Sequence, residues 1–218
     1  MSQNPSEFER SFEPGEFYLS KGVGPHPLPW PRGDEYDEQL LADGDRRNVA
    51  DEYRYLTVEA IRTKLAAARL PLEVAIENWQ HDLNIGSLVR TSNAFNLNAV
   101  HIVGKKHWNQ HGALMTDKYL DVQHHPNVKS LRDYADNAGL LVVGIENGVN
   151  AIPLHENPLP RNAILFLGNE GSGLTDEGLS ACDVVLEIPQ WGSVRSMNAS
   201  VAGGIVIFEW IRQHQLNQ

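Results

Sequence analysis

The stretch "ILFLGNEGSGL", residues 164–174, is a hydrophobic run that stops abruptly in three glycines, Gly168, Gly171 and Gly173, with Asn169 and Glu170 between the first two. A strand apolar on both faces needs cover on both. A strand that empties into glycines lets backbone approach a ligand closely, at the sheet edge where open α/β folds bind cofactors. The loop is a poor phosphate cradle, because the Lys and Ser/Thr of a P-loop are missing and Glu170 would repel phosphate. Its spacing also differs from the G-x-G-x-x-G of dinucleotide sites. A neutral or cationic ligand suits it better.

Working outward, apolar strand-like runs alternate with helical ones. They read "LEVAIEN", "NIGSLVRTSNAF", "AVHIVG", "NVKSLRDYADNAG", "LLVVGIE", "AILFLG", "TDEGLSACD", "VVLEIP" and "SMNASVAGGIVIFEWIRQHQ". Strands of this kind separated by helices imply an α/β fold with a parallel sheet covered by helices on both faces. Upstream, "NVADEYRYLTVEAIRTKLAAARL", residues 48–70, predicts a helix stopped by Pro71. Residues 1–47 show no sustained apolar period, and "KGVGPHPLPWPRGDEYDE" is rich in Pro, Gly and acids. They read as an extended arm, either solvated or packed on protein through Phe8, Phe12, Phe17, Tyr18 and Trp30. The expected division is an N-terminal arm and helix over 1–70 and one main domain over 71–218.

Composition narrows the classes. A chain of 218 residues with 41% hydrophobic content can bury one sizeable core. No apolar run approaches the roughly 20 residues of a membrane span, and "MSQNPSEFER" lacks the regions of a signal peptide, so the cytoplasm is the expected compartment. Cys182 is the only cysteine, which excludes intrachain disulfides, and its place before an apolar strand reads as a buried, inert thiol. The net charge of -10 argues against bulk attraction to nucleic acid, and neither side of Leu70 is basic. A local basic patch remains compatible with RNA, since the footprint depends on arrangement rather than on the sum.

Two further stretches place polar residues at strand ends without an obvious packing purpose. In "ENWQHDLNIGSLVRTSNAF" a strand ends near Asn78 and a helix begins near Asn84, with Arg90 most of two turns along and off the face of Asn84. In "EIPQWGSVRSMNASVAGGI" Ser196 reads as the N-cap of the last helix, and Asn198 as an amide inside its first turn with no capping duty. The small residues Ser200, Ala202, Gly203 and Gly204 imply a closely packed neighbour. Lys105, Lys106, His107 and Trp108 form a basic and aromatic group beside a strand end, either an RNA-contact patch or a solvated loop.

Together the three stretches resemble the three motifs of the SpoU/TrmH family of SPOUT methyltransferases, in order, from about Leu72 to Ile211. "N-x-G-x-x-x-R" at Asn84, Gly86 and Arg90 is similar to motif one. "G-N-E-G-x-G-L" from Gly168 to Leu174 is similar to motif two, and "I-P...G...S-x-N-x-S-x-A" from Ile188 to Ala202 to motif three. The chain departs from the usual pattern with His81 and Asp82 where an Asp-Pro or Asn-Pro pair is common, and with Asn96 where Gly is common. Gln190 and Met197 stand where Met and Leu are frequent. Asn also enters left-handed backbone, so the change at 96 is tolerable.

The resemblance implies a C-terminal deep trefoil knot, a homodimer, and transfer of a methyl group from S-adenosyl-L-methionine to a ribose 2'-hydroxyl of an RNA substrate. tRNA is favoured over rRNA, because rRNA-directed members often carry an N-terminal ribosomal-protein-like domain that residues 1–70 do not match. By the same resemblance the catalytic set is Asn84, Arg90, Glu170, Ser196 and Asn198. The cofactor set is Gly168, Asn169, Gly171, Ile188, Gly192 and Met197. Arginine is a poor base, so Arg90 is expected to hold a phosphate and stabilise oxyanion charge. No metal is expected: "HWNQH" spaces His107 and His111 as helix neighbours and His124 adjoins His125, but the metalloprotease Glu is absent and a sulfonium donor needs no metal. The rival readings are a non-catalytic RNA-binding paralogue and a Rossmann-type nucleotide enzyme, the latter lacking its fingerprint.

Overall fold

The computed structural model describes residues 22–79, 84–148 and 151–216. Phe8, Phe12, Phe17, Tyr18, His81 and Asp82 therefore lie outside the described residues. The chain divides into two units, Met1–Ala60 and Ile61–Gln218.

In the first unit, the described residues are organised around a carboxylate rather than extended as an arm. Asp45 is fully buried and accepts from Arg47 Nε (2.9 Å), Arg47 Nη2 (2.7 Å) and Tyr55 N (3.0 Å). Burial pushes its carboxyl up, but the Arg47 and Tyr55 hydrogen bonds outweigh burial and hold it at about 2. Val23 pairs with Asp45 across an antiparallel bridge, and helix α1 (Glu38–Asp43) is capped by Asp37. The helix expected over 48–70 is broken. Residues Asp51–Tyr53 form a single 3-10 turn, Tyr55 takes a left-handed backbone (φ 63°), and only α2 (Val58–Ala66) is α-helical. Thr57 Oγ1 accepts from Ala60 N (3.1 Å) at its start. Pro71 stops no helix; it belongs to a strand, with Leu70 extended ahead of it, as a residue before proline prefers.

The second unit is a seven-stranded sheet, parallel throughout its paired strands. In chain order its elements are β1 (Leu70–Asn78), α3 (Asn84–Ala94), β2 (Leu97–Gly104), β3 (Asp121–His125), α4 (Val128–Ala138), β4 (Leu141–Ile145), β5 (Ile152–Pro153), β6 (Ala163–Leu167), α5 (Asp176–Ser180), β7 (Val184–Glu187) and α6 (Ala199–Ile211). The strand order is β3-β2-β1-β6-β4-β7-β5. The expected parallel α/β sheet is therefore present, and β1 is buried from Leu72 to Asn78, as a strand covered on both faces must be.

Alternation along the strands divides the core in two. Leu72, Val74 and Ile76 share one face with Leu88 and Val89 of α3 and Val206, Ile207 and Trp210 of α6. Ala75, Ile164 and Phe166 share the other with Val128, Leu131 and Ala135 of α4. The close neighbour implied by the small residues of α6 is α3: a Cβ on Gly203 would lie 2.6 Å from Leu88 Cδ1, whereas one on Gly204 meets nothing within 4 Å. Asn96, where the family commonly has Gly, is left-handed (φ 52°), so Asn here does the work of glycine. Among the described residues no helix is long and apolar enough to cross a membrane.

Candidate active site

The glycine loop leaves β6 and folds back on itself. Asn169 N donates to Gly173 O (3.0 Å) and Gly173 N to Asn169 O (2.9 Å), closing a small antiparallel bridge. Gly168 is the residue this closure requires, because a Cβ there would lie 1.9 Å from Gly173 C and 2.0 Å from Leu174 N. Two carboxylates at the ends of β1 and β4, the strands on either side of β6, fasten the loop. Glu146 Oε2 accepts from Leu174 N (2.7 Å), and the buried Glu77 accepts from Thr175 N (3.0 Å) and Thr175 Oγ1 (2.6 Å). Thr175 in turn caps α5. Glu77 and Glu146 are absent from the sequence-predicted set, although a signal is present: β1 and β4 each lead into the same triplet, "IEN", at Ile76–Asn78 and Ile145–Asn147.

Glu170 lies between the starts of two helices. Its Oε2 accepts from Asn84 Nδ2 (2.7 Å), the first residue of α3, and its Oε1 accepts from Asn198 Nδ2 (3.0 Å), at the start of α6. Asn198 Nδ2 also donates to Asn84 Oδ1 (2.7 Å), and Ser200 Oγ donates to Asn198 Oδ1 (2.7 Å). Helix N-termini attract negative charge, so the position that a bound anion would take is filled by the protein's own carboxylate. This is why the loop carries an acid where a phosphate cradle carries lysine. The expected capping assignment is reversed. Asn198 is the N-cap of α6, accepting from Ser200 N (3.0 Å) and Val201 N (3.3 Å), while Ser196 lies exposed two residues ahead of it. The helix starts later than expected, and an amide both caps through its oxygen and donates through its nitrogen, which a serine hydroxyl in the same place cannot do for two partners.

Beside this cluster a cavity opens between the loop and the segment after β7. Gly168, Asn169, Glu170 and Gly171 line it from one side, and Ile188, Ser196 and Met197 from the other. Among the described residues its walls include Glu146 and Glu170 and no lysine or arginine. Asn84 and Asn198 do not line the cavity themselves but bond to Glu170, which does. Gly192 is not part of the wall, and a Cβ there would meet nothing within 4 Å. Arg90 is not brought to it either. It stands six residues beyond Asn84 on α3, about 9 Å along the axis and on a different face, exposed and without a hydrogen bond to any described residue.

The histidines separate into two groups. His107 and His111 are not helix neighbours, because only Gln110–Ala113 is helical and as a 3-10 turn capped by Asn109. His124 is exposed, its Nε2 2.8 Å from Gly104 O. His125 instead belongs to a buried chain under α4 that sequence reading missed: His101 Nε2 donates to Glu73 Oε2 (2.7 Å), and His101 Nδ1 shares a hydrogen bond with His125 Nε2 (2.9 Å). Tyr134 Oη donates to Glu73 Oε1 (3.3 Å). A charged residue and a histidine inside the apolar runs "LEVAIEN" and "AVHIVG" were the available signal. Burial, then repulsion from His101, hold His125 down at about 4. No group of three or more His, Cys, Asp or Glu among the described residues is arranged to hold a metal. Burial and neighbouring Asp183 push the Cys182 thiol up to about 12, in keeping with an inert role.

With this geometry in hand, comparison with known proteins gives one direction. A family model described as the SpoU rRNA Methylase family matches residues 71–208. The tRNA (guanosine(18)-2'-O)-methyltransferase of Escherichia coli (strain K12) is 26% identical over 156 residues, covering 70% of this chain and 68% of that protein. The crystal structure of an A. aeolicus TrmH/SpoU tRNA modifying enzyme superposes with a TM-score of 0.63 at 23% identity, over 73% of this chain and 83% of the other. The SpoU methyltransferase AviRb from Streptomyces viridochromogenes, solved in complex with AdoMet, gives 0.62 at 20% identity, over 71% and 65%. The two structures share the fold.

Proposed function

This chain belongs to the SpoU rRNA Methylase family, and from that premise we propose that it is an S-adenosylmethionine-dependent methyltransferase acting on a ribose 2'-hydroxyl of RNA, tRNA in preference to rRNA. The observation that carries the reading is the cavity at the glycine loop. It is walled by loop backbone, by the apolar Ile188 and Met197, and by two carboxylates without a cation. That donor set rejects a phosphate and suits a ligand with sulfonium and ammonium charge. S-adenosylmethionine, when bound, supplies a methyl group on a positively charged sulfur for in-line displacement by the 2'-oxygen. Gly168, Asn169 and Gly171 would hold it by backbone, with Ile188 and Met197 against its apolar parts. Asn84 and Asn198 keep the Glu170 carboxylate fixed, and Ser196 on the exposed rim faces the RNA side. The proposed methyltransferase domain is 71–218, with 1–70 a separate segment; the family match beginning at 71 supports that boundary, while the compact units divide ten residues earlier, between Ala60 and Ile61. The proposed compartment is the cytoplasm.

Two finer elements belong to the same proposal. One is a deep trefoil knot in the C-terminal part of the sheet, supported by the seating of β6 between β1 and β4 with β7 beyond β4. The other is a homodimer in which Arg90 of one copy serves the cavity of its partner. Arg90 is exposed and does not line its own chain's cavity. The exposed side chains Val201, Ile205 and Phe208 of α6 offer an apolar face for a second copy. There Arg90 would fix an RNA phosphate and stabilise the oxygen as its proton leaves.

The test is to mix an Arg90→Ala chain with an Asn198→Ala chain. Random pairing makes half the dimers mixed, each with one doubly damaged and one intact site, so activity should recover to about a quarter of wild type when both parents are inactive. No recovery, with subunit exchange verified, rejects the shared site. Calorimetry that finds no S-adenosylmethionine binding, with or without RNA, rejects the enzyme.

A further inference from the structure

Between β2 and β3 the chain makes two 3-10 turns, Gln110–Ala113 and Thr116–Lys118, and packs them against α3. The approach is backbone to backbone: a Cβ on Gly86 would lie 2.8 Å from Gly112 Cα and 2.9 Å from Ala113 N. Arg90 is one helical turn on from Gly86, so it lies on the stripe of α3 that runs alongside this segment. Between the turns, Leu114 (φ 48°) and Met115 (φ 68°) are both left-handed, a conformation that bulky residues rarely adopt. Both are about half exposed, at 48% and 47%. Backbone strain of this kind persists where the surroundings impose it, and here it turns two apolar side chains outward.

With Trp108, Gln110 and His111 they line an open cavity of about 530 Å³. Trp108 is anchored on one side against the core. Lys105 and Lys106, three and two residues ahead of Trp108, are exposed and form no ion pair with any described residue. The only acid between Lys105 and Lys118, Asp117, is half-buried. In a chain of net charge -10, this is a local concentration of free cations beside aromatic and apolar walls.

We propose that this cavity is a nucleobase subsite, which takes one unstacked base of the RNA against Trp108, Leu114 and Met115 while Lys105 and Lys106 hold the adjoining phosphates. Any base offers a π-face to an indole, and single-stranded RNA is recognised by stacking together with backbone charge. Gln110 and His111 supply hydrogen-bonding groups for a base edge. An aromatic and apolar wall flanked by two lysines matches a strand that carries a base and a phosphate on every residue, whereas a protein segment would have to bring an apolar side chain and two acids together at that spacing. The choice of RNA as ligand rests on the function proposed above; the cavity's own chemistry adds where, and by which atoms, the RNA is held.

The experiment measures binding of labelled, unmodified bulk tRNA by fluorescence anisotropy. Trp108→Ala should weaken binding about tenfold or more, as loss of one stacked base does, and Trp108→Phe should return it to within about threefold of wild type. Because Trp108 also touches the core, Met115→Glu provides a variant at an exposed position; it should weaken binding about tenfold with an unchanged melting temperature. Lys105→Ala and Lys106→Ala should each lower the salt slope by about one. Wild-type affinity in Met115→Glu, or a Trp108→Ala loss that Phe does not restore, overturns the subsite. So does a Met115→Glu chain that changes its oligomeric state in sedimentation while binding RNA normally, which would make the cavity an interface. S-adenosylmethionine affinity, measured on the same proteins, should not move. A wild-type chain that binds tRNA through Trp108 but no S-adenosylmethionine would refute methyl transfer and leave the subsite standing.

Discussion

Replacing Gly168 by alanine tests whether the glycine loop is shaped by backbone closure. The new Cβ would sit 1.9 Å from Gly173 C, and ordinary contact begins near 3.4 Å, so the 173–174 backbone must retreat by about 1.5 Å. Neither partner is a side-chain end that can swing aside. A shift of that size breaks the two hydrogen bonds of the Asn169–Gly173 bridge (3.0 and 2.9 Å) and the bond from Leu174 N to the Glu146 carboxylate (2.7 Å). At about 1 kcal/mol for each neutral bond and about 2 for the charge-assisted one, the cost is about 4 kcal/mol. That is a large part of the roughly 5–15 kcal/mol that holds a domain folded, and it corresponds to a fall in Tm of about 10 °C. Calorimetry should then find S-adenosylmethionine binding weakened tenfold or more. Gly192→Ala is the matched control, because its Cβ enters open space; its stability should stay within about 0.5 kcal/mol and its affinity should be unchanged. A Gly168→Ala chain with the Tm and affinity of wild type would refute the closure argument, and a Gly192→Ala chain that loses the ligand would place Gly192 against it.

Acid should act through His125. Its folded-state value of about 4 lies below the ordinary 6.5, so between those limits the unfolded chain binds a proton that the folded chain does not, and stability falls as pH drops. Urea unfolding should show a loss of about 2 kcal/mol by pH 5 and about 3 by pH 4 relative to pH 7.5. The decline should shrink in His125→Gln, and equal declines in both chains would exclude this histidine as the cause. Asn198→Ala removes the α6 cap and a donor to Glu170, which should cost about 1–2 kcal/mol in the same assay, with Asn198→Ser recovering only the capping share. The Cys182 thiol, held near 12, should react with iodoacetamide at pH 8 far more slowly in the folded chain than in urea, and equal rates would contradict its buried setting.

The parts of this protein legible in the sequence are those in which one residue type has one local job. Runs apolar on both faces marked β1, β2, β4 and β6, because a parallel strand between two helical layers has no wet side to record. Asn96 was legible as a substitute for glycine because backbone sign is a property of one residue. The misreadings share a different cause, a partner distant in sequence. Asp45 shapes residues 22–60 through Arg47 and Tyr55, and an acid in a stretch rich in Pro and Gly looks the same whether solvated or buried. Glu77 and Glu146 resemble ordinary strand ends until the loop they fasten, as many as 98 residues away, is folded onto them. Asn198 is a cap because α6 starts at Ala199 rather than near Ser196, and its amide nitrogen is spent on Asn84, 114 residues earlier, a contact that no local pattern records. Arg90 carries the same lesson further: it stands on a helix whose first residue fixes Glu170, it has no hydrogen bond to any described residue, and the use proposed for it lies with a second molecule, which no position in a single chain records.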